Sequence, residues 1–187
     1  MAALDVMTFA PHPAFGTPGA TVATTVSCNG FQYAARCFLA RRIVNATRVR
    51  WKYTQLGSAL TGNYNIGIYD DSGRKIIETG SVAFTGSVNT VVARVETITA
   101  TSFEAGWYFV VIGFASLAAG SVAITGAVIV NSSSVGSPNL PGVGYVAGAG
   151  GVTLPAFMNP PTTFLDLGSS GIAAVASTVP ALAVSVG

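Results

Sequence analysis

The sequence predicts an all-β protein, an antiparallel jelly-roll-like β-sandwich with extended arms at its N- and C-termini. Three observations support this fold class. Val, Ile, Thr, Phe and Tyr dominate the segments between turns, and the 187 residues include 22 Gly and 9 Pro. Turn signals recur at intervals of about 8–12 residues, a spacing typical of sandwiches and barrels. No stretch has apolar residues at the 3.6-residue period of an amphipathic helix.

The composition divides the chain into three segments. Residues 1–19 contain Pro and show no periodicity, which predicts a loop-like N-terminal arm. Residues 20–130 hold the strand pattern and are predicted to form the β-sandwich domain. Residues 131–187 are rich in Gly, Ser and Pro, and we expect a long loop followed by an extended C-terminal segment. Because long loops are uncommon inside a compact domain, this segment is expected to complete the sandwich or to mediate assembly.

Nine strands are predicted within the domain: residues 20–27, 31–39, 47–55, 63–69, 74–79, 81–85, 90–98, 107–115 and 121–130. Alternation of residue types is clearest in residues 47–55. Successive side chains of a strand point to opposite faces, so one face is expected to enter the core and the other to carry cations. The core face has Val49, Trp51 and Tyr53, and the opposite face has Arg48, Arg50 and Lys52.

A tight turn is predicted at residues 70–73, which read Asp-Asp-Ser-Gly. An Asp that begins a turn accepts hydrogen bonds from nearby backbone N–H groups, and a Gly that ends it tolerates a positive φ. Two carboxylates beside backbone oxygens would also suit a calcium ion. An ordinary hairpin turn explains Asp70 and Asp71 with fewer assumptions, and we predict no metal site there.

Charge is scarce and unevenly distributed along the chain. Only 9% of the residues are Asp, Glu, Lys or Arg, whereas about a quarter are charged in an ordinary soluble domain. Mean hydropathy is +0.58. Residues 105–165 contain no charged side chain, and Asp166 is the only one that follows. Because monomers rarely expose large apolar areas, we expect other subunits to cover much of this surface.

The basic residues concentrate in one short region. Six of the nine lie between residues 36 and 52, although the net charge is only +2. We expect Arg48, Arg50 and Lys52 to form an electrostatic contact strand that faces solvent or a negatively charged neighbouring subunit. Nucleic acid is not an expected partner, because the aromatic residues of this strand face the core and cannot stack on bases.

Three aromatic residues support an alternative function. Trp51, Trp107 and Tyr108 are candidates for a platform that stacks on sugar rings. Aromatic residues on strands belong more often to the core. Both interpretations of these three residues stay open at the level of the sequence.

The sequence contains few residues that are suited to catalysis. General acid–base chemistry needs a His or clustered carboxylates in a dry pocket, but the single His12 lies between two Pro and the seven carboxylates are scattered. No nucleophile elbow, phosphate-binding Gly loop or Cys/His metal spacing occurs. We therefore expect that the protein is not an enzyme and has no catalytic, cofactor-binding or metal-binding residues.

The two cysteines, Cys28 and Cys37, lie on separate predicted strands. A disulfide between them is geometrically possible. Two buried thiols are the favoured alternative, because free Cys is among the most buried residue types.

The first residues lack the basic and apolar regions of a secretory signal. No window contains 18 continuous apolar side chains. We therefore expect synthesis in the cytoplasm, without a signal peptide and without membrane insertion.

The most specific pattern lies in three stretches: NIGIYDDSGRK at residues 65–75, ETGS at residues 78–81 and FEAGWYF at residues 103–109. A strand with Gly-Ile-Tyr-Asp that turns through Asp-x-Gly into Thr-Gly-Ser, with Ala-Gly-x-Tyr before a later strand, resembles β-sandwich modules of tailed-bacteriophage virion proteins. Such modules occur in head fibres, decoration proteins and tail-fibre or tail-tip proteins. The resemblance covers residues 20–130. Within it, Gly67 leaves room for a neighbouring chain to approach closely.

The resemblance implies a non-enzymatic structural component of a phage virion, either a capsid decoration, a head-fibre or a tail-associated protein. Its implied partners are further copies of itself in a homo-oligomer, specifically a trimer, and virion proteins such as the major capsid protein or a tail protein. Its implied location is the virion. The alternative function is a carbohydrate-binding module of a phage fibre that recognises host surface polysaccharide.

Overall fold

The computed structural model describes residues 7–9, 21–29, 32–39, 41–56, 61–127, 143–146, 151–158 and 184–186. These residues form no helix and twelve strands: β1 (Met7–Phe9), β2 (Thr21–Asn29), β3 (Gln32–Leu39), β4 (Ile43–Leu56), β5 (Asn63–Asp70), β6 (Lys75–Glu78), β7 (Val82–Ala83), β8 (Val91–Phe103), β9 (Gly106–Phe114), β10 (Ser116–Ala127), β11 (Val143–Val146) and β12 (Val184–Val186). Each of the nine predicted strands overlaps one of these. Every strand pair is antiparallel, so the predicted all-β, antiparallel class is confirmed.

The strands form two six-stranded sheets. In sheet A, β4 pairs with β8 along one edge and with β10 and β12 along the other, and the sheet continues to β2 and β1. In sheet B the order is β11-β3-β9-β5, and β5 also pairs with β6 and β7. Consecutive strands therefore often lie in different sheets, as β2 and β3 do.

Side chains from both sheets meet in one hydrophobic core, so the arrangement is β-sandwich-like. Aromatic rings of the two sheets contact each other there: the ring centroids of Trp51 and Tyr64 are 4.6 Å apart. Sheet A contributes Ile43, Ala46, Val49, Trp51, Tyr53, Ile98 and Phe103, and sheet B contributes Leu39, Tyr64, Ile66, Ile68, Tyr108, Val110, Ile112 and Phe114.

The alternation predicted for β4 is confirmed. Val49, Trp51 and Tyr53 are buried in the core, whereas the basic side chains between them lie on the opposite face. The strand begins four residues earlier than predicted, at Ile43, and its pairing with β8 is irregular between Ile43 and Arg48. This irregularity coincides with a positive φ of 53° at Asn45.

The turn predicted at residues 70–73 is also confirmed. Gly73 has a φ of +86°, and its N–H donates to the carbonyl of Asp70 at 2.9 Å. The Asp70 carboxylate accepts hydrogen bonds from the backbone N–H groups of Ser72 and Arg74, at 3.0 and 2.9 Å. The pKa of Asp70 is lowered, chiefly by a hydrogen bond from the Ser72 hydroxyl and further by these two backbone bonds. The carboxylate thus stabilises the turn.

Three short strands come from outside the predicted domain of residues 20–130. The stretch predicted as a loop-like N-terminal arm contributes Met7–Phe9 as β1, which pairs with β12. From the C-terminal segment, β11 pairs with β3, and β12 pairs with β4. Strands of three or four residues are too short to show alternation in the sequence, and their partners are distant along the chain. The sequence pattern therefore does not predict these strands.

Candidate interaction surfaces

The outer face of sheet A places the predicted basic residues beside an uncharged row of β8. Arg48 and Lys52 are exposed and Arg50 is half-buried. In the register of β8, Thr97 lies opposite Arg48, Val95 opposite Arg50 and Ala93 opposite Lys52. We call this face the sheet A surface, and it consists of Arg48, Arg50, Lys52, Val91, Ala93, Val95 and Thr97.

The sheet A surface exposes apolar side chains because β8 directs its charged residues inward. Val91 and Val95 are 62% and 54% exposed. Arg94 and Glu96, the charged residues of β8, instead pair with each other on the inner side, at 2.8 Å between Nε and Oε1. Strands that face water usually direct polar residues outward. The arrangement of β8 reverses this pattern, with charged side chains directed inward and valines outward.

A polar cluster lies inside the molecule, where the sheets face each other. The hydroxyl of Tyr64 donates to Glu96 Oε1 at 2.6 Å. Arg94 Nε donates to the same carboxylate oxygen and also to the Tyr64 hydroxyl oxygen, at 3.1 Å. Burial raises the pKa of Tyr64, and the Glu96 carboxylate raises it further. Tyr64 therefore stays protonated and acts as a structural donor.

The three aromatic residues considered for sugar stacking occupy different environments. Trp51 is 4% exposed, with its ring against Tyr53 and Tyr64. Tyr108 is 7% exposed and donates its hydroxyl to the Glu104 carbonyl. Trp107 is half-buried. Stacking requires an open ring face, which Trp51 and Tyr108 do not offer in this structure. The carbohydrate-binding role stays a prediction, for which Trp107 is the candidate nearest the surface.

The outer face of sheet B carries a packed segment of the chain that the sequence pattern does not predict. Residues 151–158 run over β3, β9, β5 and β6, beginning in a turn in which Gly151 has a φ of +61°, and we call them the strap. We call the face beneath them the acceptor groove, which consists of Gln32, Ala34, Asn65, Gly67, Tyr69, Lys75, Phe109, Val111 and Gly113. The segment of residues 131–187 predicted as a long loop thus includes a stretch that packs on a sheet.

Hydrogen bonds from the acceptor groove engage six consecutive carbonyls of the strap. The donors are Gln32 Nε2 to Gly151 and Thr153 (3.2 and 2.9 Å), Asn65 Nδ2 to Val152 (2.9 Å), Lys75 Nζ to Leu154 (2.9 Å), the Tyr69 hydroxyl to Pro155 (2.8 Å) and the Lys75 backbone N–H to Ala156 (2.8 Å). Glu78 orients two of these donors, because it accepts from Lys75 Nζ at 2.7 Å and from Asn65 Nδ2 at 2.9 Å. The groove therefore binds the backbone of the strap.

Two glycines make room for the strap. A Cβ on Gly67 would lie 2.7 Å from Leu154 Cδ1, and a Cβ on Gly113 would lie 2.3 Å from the Gly151 carbonyl oxygen. Leu154 is 3% exposed and packs with Tyr69 in a second apolar cluster, whose other members are Ala34, Phe109, Val111 and Met158. A glycine in the middle of a strand is the sequence signal for such a close contact. From the sequence, a close approach is predicted at Gly67 but not at Gly113.

The remaining candidates for catalysis, a disulfide or metal binding are His12, the two cysteines and the carboxylates. His12 lies outside the described residues. Cys28 is on β2 in sheet A and Cys37 is on β3 in sheet B, with their side chains outside the described set, so their redox state stays a prediction. Among the described residues, no three His, Cys, Asp or Glu side chains are close enough to hold a metal ion.

No protein-family model, no curated protein and no solved structure matches this chain. The stretches that carry the resemblance to virion proteins lie on adjoining elements: residues 65–75 span β5, the turn and the start of β6, and residues 103–109 span the connection from β8 to β9. Within the described residues, no helix has both the length and the hydropathy to cross a bilayer.

Proposed function

We propose that the chain is a non-enzymatic structural component of a bacteriophage virion, a capsid decoration, head-fibre or tail-associated protein that forms a homo-oligomer and binds other virion proteins. The sheet A surface is the observation that supports this proposal most directly. It combines exposed Val91 and Val95 with a row of three cations and contains no acidic side chain. Such a surface suits a partner that presents apolar and negatively charged side chains together.

The composition of the chain supports a permanent assembly. Interfaces of permanent complexes commonly bury more than about 2,000 Å² and are more apolar than transient ones. The long uncharged stretch of residues 105–165 suits burial of this kind. We further propose that the two sheets form a jelly-roll sandwich and that the terminal segments contribute to the contacts between copies, with a trimer as the assembled unit.

Sedimentation equilibrium of the purified chain tests the assembly. We expect an oligomer at low micromolar concentration, and we expect Val95→Lys to shift it towards monomers, because a fourth cation would be added to the sheet A surface. Ile76→Lys is the matched control, since it adds the same charge at an exposed position of β6 in sheet B. A wild-type chain that sediments as a single monomeric species would overturn the proposed assembly.

Mass spectrometry of purified phage particles tests the virion location. The chain is expected at a copy number comparable to that of a capsid or tail protein, and its absence from particles would overturn the assignment. The alternative function has its own test. Saturable binding to host polysaccharide that is lost in Trp107→Ala would favour a carbohydrate-binding module.

A further inference from the structure

The strap is bound to sheet B in the way that a peptide ligand is bound in a groove. Of the six carbonyls engaged from Gly151 to Ala156, five accept from side chains and one from a backbone N–H. Every donor belongs to the stretch from Gln32 to Lys75. Because the donors and the strap belong to separate parts of the chain, the groove of one copy can make the same contacts with the strap of another.

The contacts also define the chemical class of the ligand. Donors that bind carbonyls recognise the backbone of the strap and leave most of its side chains unrecognised. The exceptions are Met158, which is 4% exposed in the second apolar cluster, and Leu154, whose two methyl groups lie over Gly67 and Gly113. Pro155 follows Leu154 and has no backbone N–H that would need an acceptor. The groove therefore fits a peptide that contains Leu-Pro.

The lengths of chain around the strap permit it to reach a neighbour. Residues 128–142 separate β10 from β11, and residues 159–183 separate the strap from β12. Fifteen residues, as in the first of these stretches, span at most roughly 50 Å, which exceeds the diameter of about 30 Å of a small domain. Only four residues separate β11 from the strap, so the two belong to one unit, residues 143–158.

We propose that the acceptor groove is a binding site for a peptide and that, in the assembled protein, its occupant is the strap of a second copy. Residues 143–158 would be exchanged between copies, with β11 pairing with β3 of the same acceptor. This inference rests on the proposed assembly and names one contact between its copies. Exchange of identical elements links copies through contacts that each chain already contains.

Peptide binding tests the groove. The probe is a fluorescent synthetic peptide of residues 149–160, and the receptor is the full-length chain with Leu154→Asp, or with Leu154→Ala if the first variant does not fold. Fluorescence anisotropy is expected to show saturable binding, and binding at least tenfold weaker when Gly113→Val is added to the receptor. A peptide that carries Asp in place of the leucine is the matched control. No binding to either folded receptor would overturn the groove as a peptide site.

Isotope-coded crosslinking tests the exchange. Phe157, which is 68% exposed, is replaced by the photoreactive residue p-benzoylphenylalanine. Chains labelled with 14N and 15N are refolded together in equal amounts and irradiated. We expect about half of the crosslinks from residue 157 to sheet B to join peptides of different isotopic mass. Crosslinks within single chains only would overturn the exchange.

The two tests separate this inference from the proposed function. An oligomer that gives only crosslinks within single chains would disprove the exchange and leave the assembly intact. A monomeric chain that binds the peptide would disprove the assembly and the exchange but retain the groove as a peptide site.

Discussion

The hydroxyl of Tyr64 donates a 2.6 Å hydrogen bond to the carboxylate of Glu96, and this bond joins the two sheets through the interior. Tyr64 lies on β5 in sheet B and Glu96 on β8 in sheet A. Arg94 compensates the carboxylate charge from the same strand as Glu96. A satisfied polar contact in a core of low dielectric is strong and directional, so it sets the position of one sheet relative to the other.

The two sheets differ in what their outer faces present. Sheet B is covered by the strap, which buries Tyr69 and Leu154. The sheet A surface instead leaves Val91 and Val95 exposed beside its cations. In the proposed assembly, the outer face of sheet B would hold a segment of another copy, and the sheet A surface would contact a neighbouring subunit.

The interior ion pair is expected to matter more for stability than a comparable pair at the surface. Glu96→Ala would remove the carboxylate to which both the Tyr64 hydroxyl and Arg94 Nε donate. Arg94 would keep its bonds to the hydroxyls of Tyr64 and Thr85. We expect the free energy of unfolding to fall by about 2 kcal/mol, less than for a fully buried pair because Arg94 remains partly solvated. Urea denaturation measures this change.

Glu104→Ala is the matched control for Glu96→Ala. Glu104 pairs with Arg42 at 2.9 Å, but both side chains are more than half exposed. Its loss is expected to cost less than about 1 kcal/mol, because solvent screens the charges. Equal losses for the two variants would contradict a structural role for the interior pair.

Alkaline pH is expected to destabilise the protein through Tyr64. Burial raises the pKa of Tyr64 in the folded state above its ordinary value of about 10. Above that pH the unfolded chain releases a proton that the folded protein keeps, so the free energy of unfolding falls by up to about 1.4 kcal/mol per pH unit for this group. Tyr64→Phe removes this contribution.

Denaturation series between pH 8 and pH 11 compare the wild type with Tyr64→Phe. The wild type should lose stability more steeply above pH 10. Some slope is expected to remain in the variant, because burial also raises the pKa values of Tyr69 and Tyr108. Identical slopes for the two proteins would show that Tyr64 does not retain its proton.

The hydroxyl of Tyr69 is expected to hold the strap on sheet B. Tyr69→Phe removes the donor to the Pro155 carbonyl and should lower stability by about 1 kcal/mol. Hydrogen exchange of residues 151–158 should accelerate, including the amide of Met158 that donates to Gly73. Tyr108→Phe also loses a bond to a carbonyl, that of Glu104, and is the matched control. Accelerated exchange in the strap of the control would contradict this role.

Acid is expected to weaken the turn at residues 70–73 through Asp70. Its pKa is lowered in the folded state, chiefly by the Ser72 hydroxyl. This stabilisation is therefore present above about pH 4 and is lost as the pH falls through the lowered pKa. Because the side chain is exposed, the effect should stay below about 1 kcal/mol. Asp70→Asn keeps an oxygen acceptor and should lack this dependence in acid denaturation monitored by fluorescence.

Local sequence patterns predicted the regular part of the fold well. Alternation in residues 47–55 correctly placed Val49, Trp51 and Tyr53 in the core, and Asp70 with Gly73 correctly marked a turn, because both signals arise from neighbours along the chain. The strap depends on pairs that are far apart, such as Gln32 and Gly151. Contacts between residues far apart along the chain produce no periodic pattern in the sequence. A glycine that makes room for Leu154 cannot be distinguished in the sequence from any other strand glycine.

Strand spacing, alternation and turn chemistry are properties of short stretches, so the sequence by itself determined the all-β class, most of the strands and the face that each β4 side chain occupies. Only the tertiary structure decided which strands share a sheet, that Glu96 meets Tyr64 across the core, and that residues 151–158 lie on sheet B. These outcomes depend on the packing of segments distant along the chain, and alternation defines the faces of a strand but not its neighbours.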